Sequence, residues 1–79
     1  MRLDKFLKNA RIIKRRTLAK EACETGAVSI GDKIAKAGDE VRVGDTIEVR
    51  FGTRTVRGEV TELIENPRKD DAQKMFRIL

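Results

Sequence analysis

The chain has 79 residues, 39% of them hydrophobic, which is enough for one small core and excludes most self-contained enzymes. Histidine is absent and Cys23 is the sole cysteine, so there is no internal disulfide, no multi-thiolate metal site and no histidine-assisted nucleophile. Lys and Arg number 18 against 13 Asp and Glu, a net charge of +5, and the natural partner of such a chain is a polyanion, nucleic acid first.

Leu3, Phe6, Leu7 and Ala10 recur at i, i+3, i+4 and i+7, the stripe of a short helix over about residues 3–10. Asp4 falls in its first turn, where an anion faces the positive end of the helix dipole, so a structural role accounts for it. Ile12 and Ile13 make an apolar bridge to a second helix. This one is expected from Arg15 or Arg16 to Thr25, with Leu18, Ala19, Ala22 and Cys23 inward and Gly26 as its left-handed stop.

Beyond Gly26 the period drops to two. Val28 and Ile30 alternate with Ser29 ahead of a Gly31-Asp32 turn, and Val41 and Val43 alternate with Arg42 ahead of a Gly44-Asp45 turn. Ile47, Val49 and Phe51 then form the inward side of a strand ending near Gly52. Val56 and Val60 flank Gly58 in a further strand expected to reach Leu63 or Ile64, with the glycine marking a bulge or bend. After Pro67 comes a polar loop, where Asp70 or Asp71 caps a last helical turn with Ala72, Met75 and Phe76, or the final residues run extended. The expected fold is α+β: two short N-terminal helices on a small, bent, mainly antiparallel sheet, with a short helical or extended tail.

The charge is concentrated at one end. Residues 1–20 carry Arg2, Lys5, Lys8, Arg11, Lys14, Arg15, Arg16 and Lys20 against the lone anion Asp4, a local +7, whereas residues 21–79 carry ten cations and twelve anions, a local −2. A charge run is commonly a solvated helix face, but this excess on amphipathic segments favours a binding surface. Lys14-Arg15-Arg16 stands at the mouth of the second helix, where backbone N–H groups and the dipole favour phosphate and guanidinium groups add bidentate bonds. No catalytic group emerges: Ser29 lacks a base, Cys23 reads as a small buried hydrophobe, and Asp32, Asp39, Glu40 and Asp45 read as turn acids with no calcium-loop spacing. With no Tyr or Trp, and Phe6 and Phe51 expected inward, a stacking platform for single strands lacks its parts. Structured RNA is the favoured ligand, with double-stranded DNA the alternative that composition leaves open. No apolar run reaches the roughly 20 residues of a membrane span, and Met1 to Lys5 lack a secretory pattern, so the expectation is a cytoplasmic protein beginning at Met1.

The ordered set Arg2-Leu3-Asp4-Lys5-Phe6-Leu7, Arg15-Arg16 with Ala19, Gly26-Ala27-Val28 with Ile30, and Val43-Gly44-Asp45 with Ile47 resembles the RNA-binding domain named after small-subunit ribosomal protein four. The match covers about residues 1–51, with residues 52–79 read as an additional strand and tail of the same unit. Within that family the stretch from Ile13 to Glu21 is most similar to stand-alone bacterial members, a group of ribosome quality-control factors and a related fifteen-kilodalton heat-shock protein. The resemblance implies a non-enzymatic monomer, without cofactor or metal, that binds large ribosomal subunits obstructed by peptidyl-tRNA and supports C-terminal alanine tailing of stalled chains. Its partners would be large-subunit rRNA, the tRNA and the alanine-tailing elongation factor RqcH.

By the same analogy Arg2 and Arg16 fall on RNA-facing motif positions, with Lys5, Lys14, Arg15 and Lys20 as companions and Lys8 and Arg11 on the same basic face. Many members carry Asn-Gly where this chain has Gly31-Asp32, a departure that puts a contact from that turn in doubt and leaves Lys33 and Lys36 nearby as candidate phosphate contacts. The alternatives are a heat-shock-type recycling or assembly factor of the large subunit, the RNA-binding appendage of an RNA-modification enzyme, and a protein-interaction module using the acidic sheet side.

Overall fold

A computed structural model describes residues 1–79. Helix α1 spans Leu3–Asn9 and α2 spans Arg16–Glu24, followed by strands β1 (Val28–Ile30), β2 (Lys33–Ile34), β3 (Thr46–Phe51) and β4 (Arg54–Val60). A 3-10 turn over Lys69–Asp71 leads into α3 (Ala72–Met75) and β5 (Phe76–Ile78), so the tail is helical and then extended. The five strands form one sheet in the order β2-β1-β3-β4-β5 with every pair antiparallel, the expected α+β arrangement.

The core follows from the two periodicities. Leu3, Phe6 and Leu7 of α1 and Ala19 and Cys23 of α2 meet Val28, Ile47, Val49 and Val60 on the inner face of the sheet, all buried. The opposite side of β3, β4 and β5 carries Glu48, Arg50, Arg57, Glu59 and Arg77, with Glu59 and Arg77 paired across β4 and β5. The Phe6 and Phe76 rings meet edge to face at 6.2 Å, joining the first helix to the last strand. Gly26 stops α2 with φ +79°, as its position predicts.

Five local expectations need correction. Residues 41–43 form no strand, because their backbone groups are engaged elsewhere: the Val41 N–H donates to the Met1 carbonyl and the Arg42 N–H to Asp45 Oδ2. Val41 is buried there and Val43 is exposed. Strand β4 stops at Val60, since the Thr61 N–H and hydroxyl turn to the Met75 and Lys74 carbonyls, and Leu63 and Ile64 pack on the core without pairing. Leu18 lies on the flank of α2 and is exposed, because a helix with a single helical neighbour covers only its central stripe of Ala19 and Cys23.

Phe51 does project to the inner face, two residues beyond Val49, but it lies past the cover of the helices and is 38% exposed. Gly58 makes no bulge. It stays in register between Ile47 and Ile78, and its missing side chain lets the Phe76 ring lie on the strand: a Cβ there would fall 2.4 Å from Phe76 Cζ and 2.6 Å from the Arg77 carbonyl oxygen. The backbone oxygen has little room to move. Gly58→Ala is therefore an overpacking change costing about 1–3 kcal/mol. It should lower the melting temperature by roughly 4–8 °C per kcal/mol in thermal denaturation followed by circular dichroism, and an unchanged midpoint would contradict the close approach.

Candidate nucleic-acid interface

The N-terminal end is stitched to the loop after β2 before any cation is placed. The Leu3 N–H donates to the Asp39 carbonyl at 2.9 Å, the Asp4 N–H to the Ala37 carbonyl at 3.1 Å, and Arg2 pairs with Glu40 in an isolated antiparallel bridge. The N-terminal ammonium is salt-bridged to Glu40. These bonds use N–H groups that the first turn of a helix otherwise leaves unpaired, and they fix the direction of α1.

Asp4 is 3% exposed and takes every nearby donor. Arg2 Nε donates to its Oδ1 at 3.2 Å, the Lys5 N–H donates to the same oxygen at 2.8 Å, and Arg16 Nε lies 3.4 Å from Oδ2. Burial pushes the Asp4 carboxyl up, but hydrogen bonds from Arg2 and Arg16, with the Lys5 N–H and the Arg16 charge, outweigh it and hold the group below its ordinary 3.8. Asp4 thus does more than face the helix dipole. It brings the guanidinium groups of α1 and α2 to one point while both stay about half exposed, free on their outer edges to meet phosphate.

From this point the cations spread along two connected clefts. Lys5, Lys8 and Arg16 line one with Glu65 and Asn66, while Lys8, Arg11 and Lys14 line the other, with Asn9 and Pro67 shared by both. The wall opposite α1 is the segment after β4. Asn9, itself buried, donates through Nδ2 to the Ile64 and Glu65 carbonyls at 3.1 Å, and Lys5 Nζ is 2.7 Å from Glu65 Oε2. Arg15 is the N-cap of α2, whose first-turn N–H groups receive no side-chain cap. Lys20 is exposed one turn beyond Arg16. Lys33 on β2 and Lys36 line neither cleft, so the structure does not join them to the other cations.

Sequence reasoning missed Asp4 as an anchor, Glu65 on the far wall with Asn9 of α1 tying that wall down, and the backbone of Arg11. Asp4 had one signal, a lone acid among eight cations. Arg11 follows the C-cap of α1 with φ +59°, a left-handed position that ordinarily selects glycine. Among the turn acids, Asp39 accepts the Lys36 N–H and Asp45 the Arg42 N–H, both at 2.9 Å. Burial, then the charges of Asp4, Asp39 and Glu24, push the Cys23 thiol up to about 11, which keeps it protonated and unreactive near neutrality.

Asp4→Asn should destabilise the fold at pH 7 by about 1–2 kcal/mol, at the lower end for charged hydrogen bonds because both arginines are solvated. Since the folded value is depressed, the contribution of Asp4 is complete above the ordinary value of 3.8 and is lost as pH falls through the folded one. In acid titration the stabilities of the wild type and Asp4→Asn should therefore draw together only below 3.8 and meet beneath the depressed folded value. Arg11→Gly should act in the opposite direction, relieving a left-handed residue by about 1 kcal/mol while removing a cation; a melting temperature that falls would contradict the strain.

The S4 domain family matches residues 1–47. An RQC P-site tRNA stabilizing factor of Bacillus subtilis is 51% identical over the full chain and 92% of its own length, and one of Halalkalibacterium halodurans is 49% identical over 99% of this chain and 89% of its own. Among solved structures, the trimeric heat shock protein 15 of Vibrio cholerae superposes with a TM-score of 0.92 at 31% identity, covering all of this chain and 81% of the other. With the motif set on α1, α2 and β1 and the fold both matched, this chain belongs to the S4 domain family.

Proposed function

We propose that this protein is a non-enzymatic RNA-binding factor of ribosome quality control that sits on large subunits obstructed by peptidyl-tRNA and steadies the P-site tRNA. The observation that carries the reading is the end-to-end alignment with relatives bearing the name RQC P-site tRNA stabilizing factor. The basic face supports it physically. Arg2 and Arg16, held at one carboxylate, are the central phosphate contacts, with Lys5, Lys8, Arg11, Lys14, Arg15 and Lys20 around them and Lys33 and Lys36 as outlying ones. Such a face reads backbone geometry in preference to base sequence, as suits an rRNA hairpin beside a tRNA. Residues 52–79 belong to the same functional unit, since they supply the Glu65 wall of the cleft. The protein works in the cytoplasm on the ribosome, beside RqcH during alanine tailing. A second reading, rescue or recycling of the large subunit, is favoured by the likeness to heat shock protein 15.

Cosedimentation with large subunits, empty or carrying peptidyl-tRNA, at one moderate salt concentration tests the tRNA-stabilising role. Preference for obstructed subunits is expected, and equal binding to the two would overturn the tRNA-stabilising role in favour of rRNA recognition alone. Arg16→Ala should weaken binding with the fold intact. Affinity should fall with salt at a log-log slope of about −0.7 to −0.9 per neutralised phosphate, and a flat salt dependence would remove the basic face from the interface.

A further inference from the structure

The inner face of the sheet is only partly roofed. Where β3 and β4 run past the helices, Phe51, Val56 and Ile78 floor a groove of about 740 Å³, and Ile12 from the link between α1 and α2 forms a wall. Its size lies within the roughly 300–1,000 Å³ range of small-molecule sites. Phe51 is 38% and Ile78 65% exposed, an apolar surface that the fold itself leaves uncovered. Three cations, Arg11, Arg54 and Lys69, stand around it against the single anion Asp70. Arg11 also lines the cleft it shares with Lys8 and Lys14, so the groove and the basic face are continuous through that one residue.

We infer that this groove receives one unpaired nucleotide of the RNA bound on the basic face, its base against Phe51 and its phosphate at Arg11. The inference rests on the RNA-binding reading and extends it to a second kind of contact. A nucleotide combines a flat apolar-faced ring with an anionic group, the pairing that an aromatic floor and a cationic rim complement. Gln73 on the lining supplies both a donor and an acceptor for a base edge. Arg54 stands opposite Phe51 in the β3–β4 register, where a guanidinium can cover the second face of a stacked ring. A paired base cannot enter, because its faces are taken by its neighbours in the stack, so the ligand is a bulged or loop nucleotide. An acidic amphipathic peptide shares the charge complementarity. RNA is favoured because Arg11 already belongs to the phosphate-binding cleft.

The test compares two RNA hairpins of the same stem, one carrying a single bulged adenosine and one fully paired, by fluorescence anisotropy with the full chain at fixed moderate salt. The wild type should prefer the bulged hairpin by on the order of tenfold, the range of one base stacked on an aromatic side chain. Phe51→Ala should abolish that preference and leave the paired hairpin's affinity unchanged, whereas Arg16→Ala should weaken both hairpins and keep their ratio. In the wild type, nuclear Overhauser effects should link the adenine protons to Val56 and Ile78 methyl groups, a readout independent of any variant's folding. Equal wild-type affinities, or a preference that survives Phe51→Ala, would overturn the inference and leave the basic face standing. Equal hairpin affinities together with Phe51-dependent binding of an acidic amphipathic peptide would overturn it in favour of protein docking, and no binding to either hairpin would sink the RNA reading as well.

Discussion

The Asp4 carboxylate is the point on which the N-terminal half depends. A carboxylate removed from water is costly unless it is both paired and hydrogen-bonded, and Asp4 meets that condition only if Arg2, Lys5 and Arg16 arrive together. Arg2 and Lys5 come from its own helix turn, whereas Arg16 comes from the start of the next helix. Satisfying the buried charge therefore fixes how α1 and α2 sit against each other. The same requirement holds two like charges close together. Without the anion between them the two guanidinium groups would repel, and with it they form a forked donor surface whose unused edges face solvent.

The second constraint is the small size of the core. Two helices of seven and nine residues cannot cover a five-stranded sheet, so the fold closes by other means. The N-terminal residues pair with the loop over 37–41, and the segment after β4 turns back along α1, held by Asn9, before α3 and β5 complete the sheet edge. Phe76 fills the space over Gly58, where any side chain would collide with it. What remains uncovered is the far end of the β3–β4 hairpin, where strand periodicity continues but the helical roof does not.

Much of this was legible in the sequence, and the failures share a cause. Period 3.6 located α1 and α2, period 2 located β1, β3 and β4, and Gly26 marked the end of α2, because each is a local property of the chain. Periodicity also assigned Phe51 and Leu18 to the inner faces, and for Phe51 the face is correct. It carries no information on whether another element extends far enough to bury that face. The strand read at 41–43 failed for a related reason, since its N–H groups are engaged by Met1 and by Asp45 in contacts that only the folded chain creates. Gly58 signalled an exception in the strand, but the exception was a ring 18 residues away in the chain rather than a bulge. For the basic face, composition supplied the cations and the motif order suggested Arg2 and Arg16. Neither revealed that one buried acid brings those two together.

The left-handed residue at Arg11 adds a last consequence. A C-terminal position that favours glycine instead holds the residue shared by the Lys8–Lys14 cleft and the uncovered groove. The backbone there is pinned by the Arg11 and Ile12 N–H groups donating to the Lys8 and Leu7 carbonyls at 3.0 Å, so the guanidinium departs from a fixed base even though its tip is free. Arg2 and Arg16 are fixed differently, at their tips, by Asp4. The surface therefore combines charges whose ends are placed in advance with charges whose ends adapt. Placed charges lose little freedom on meeting a phosphate and set the register, and adaptable ones follow an irregular backbone. That division fits a ligand in which a regular helical segment adjoins unpaired nucleotides.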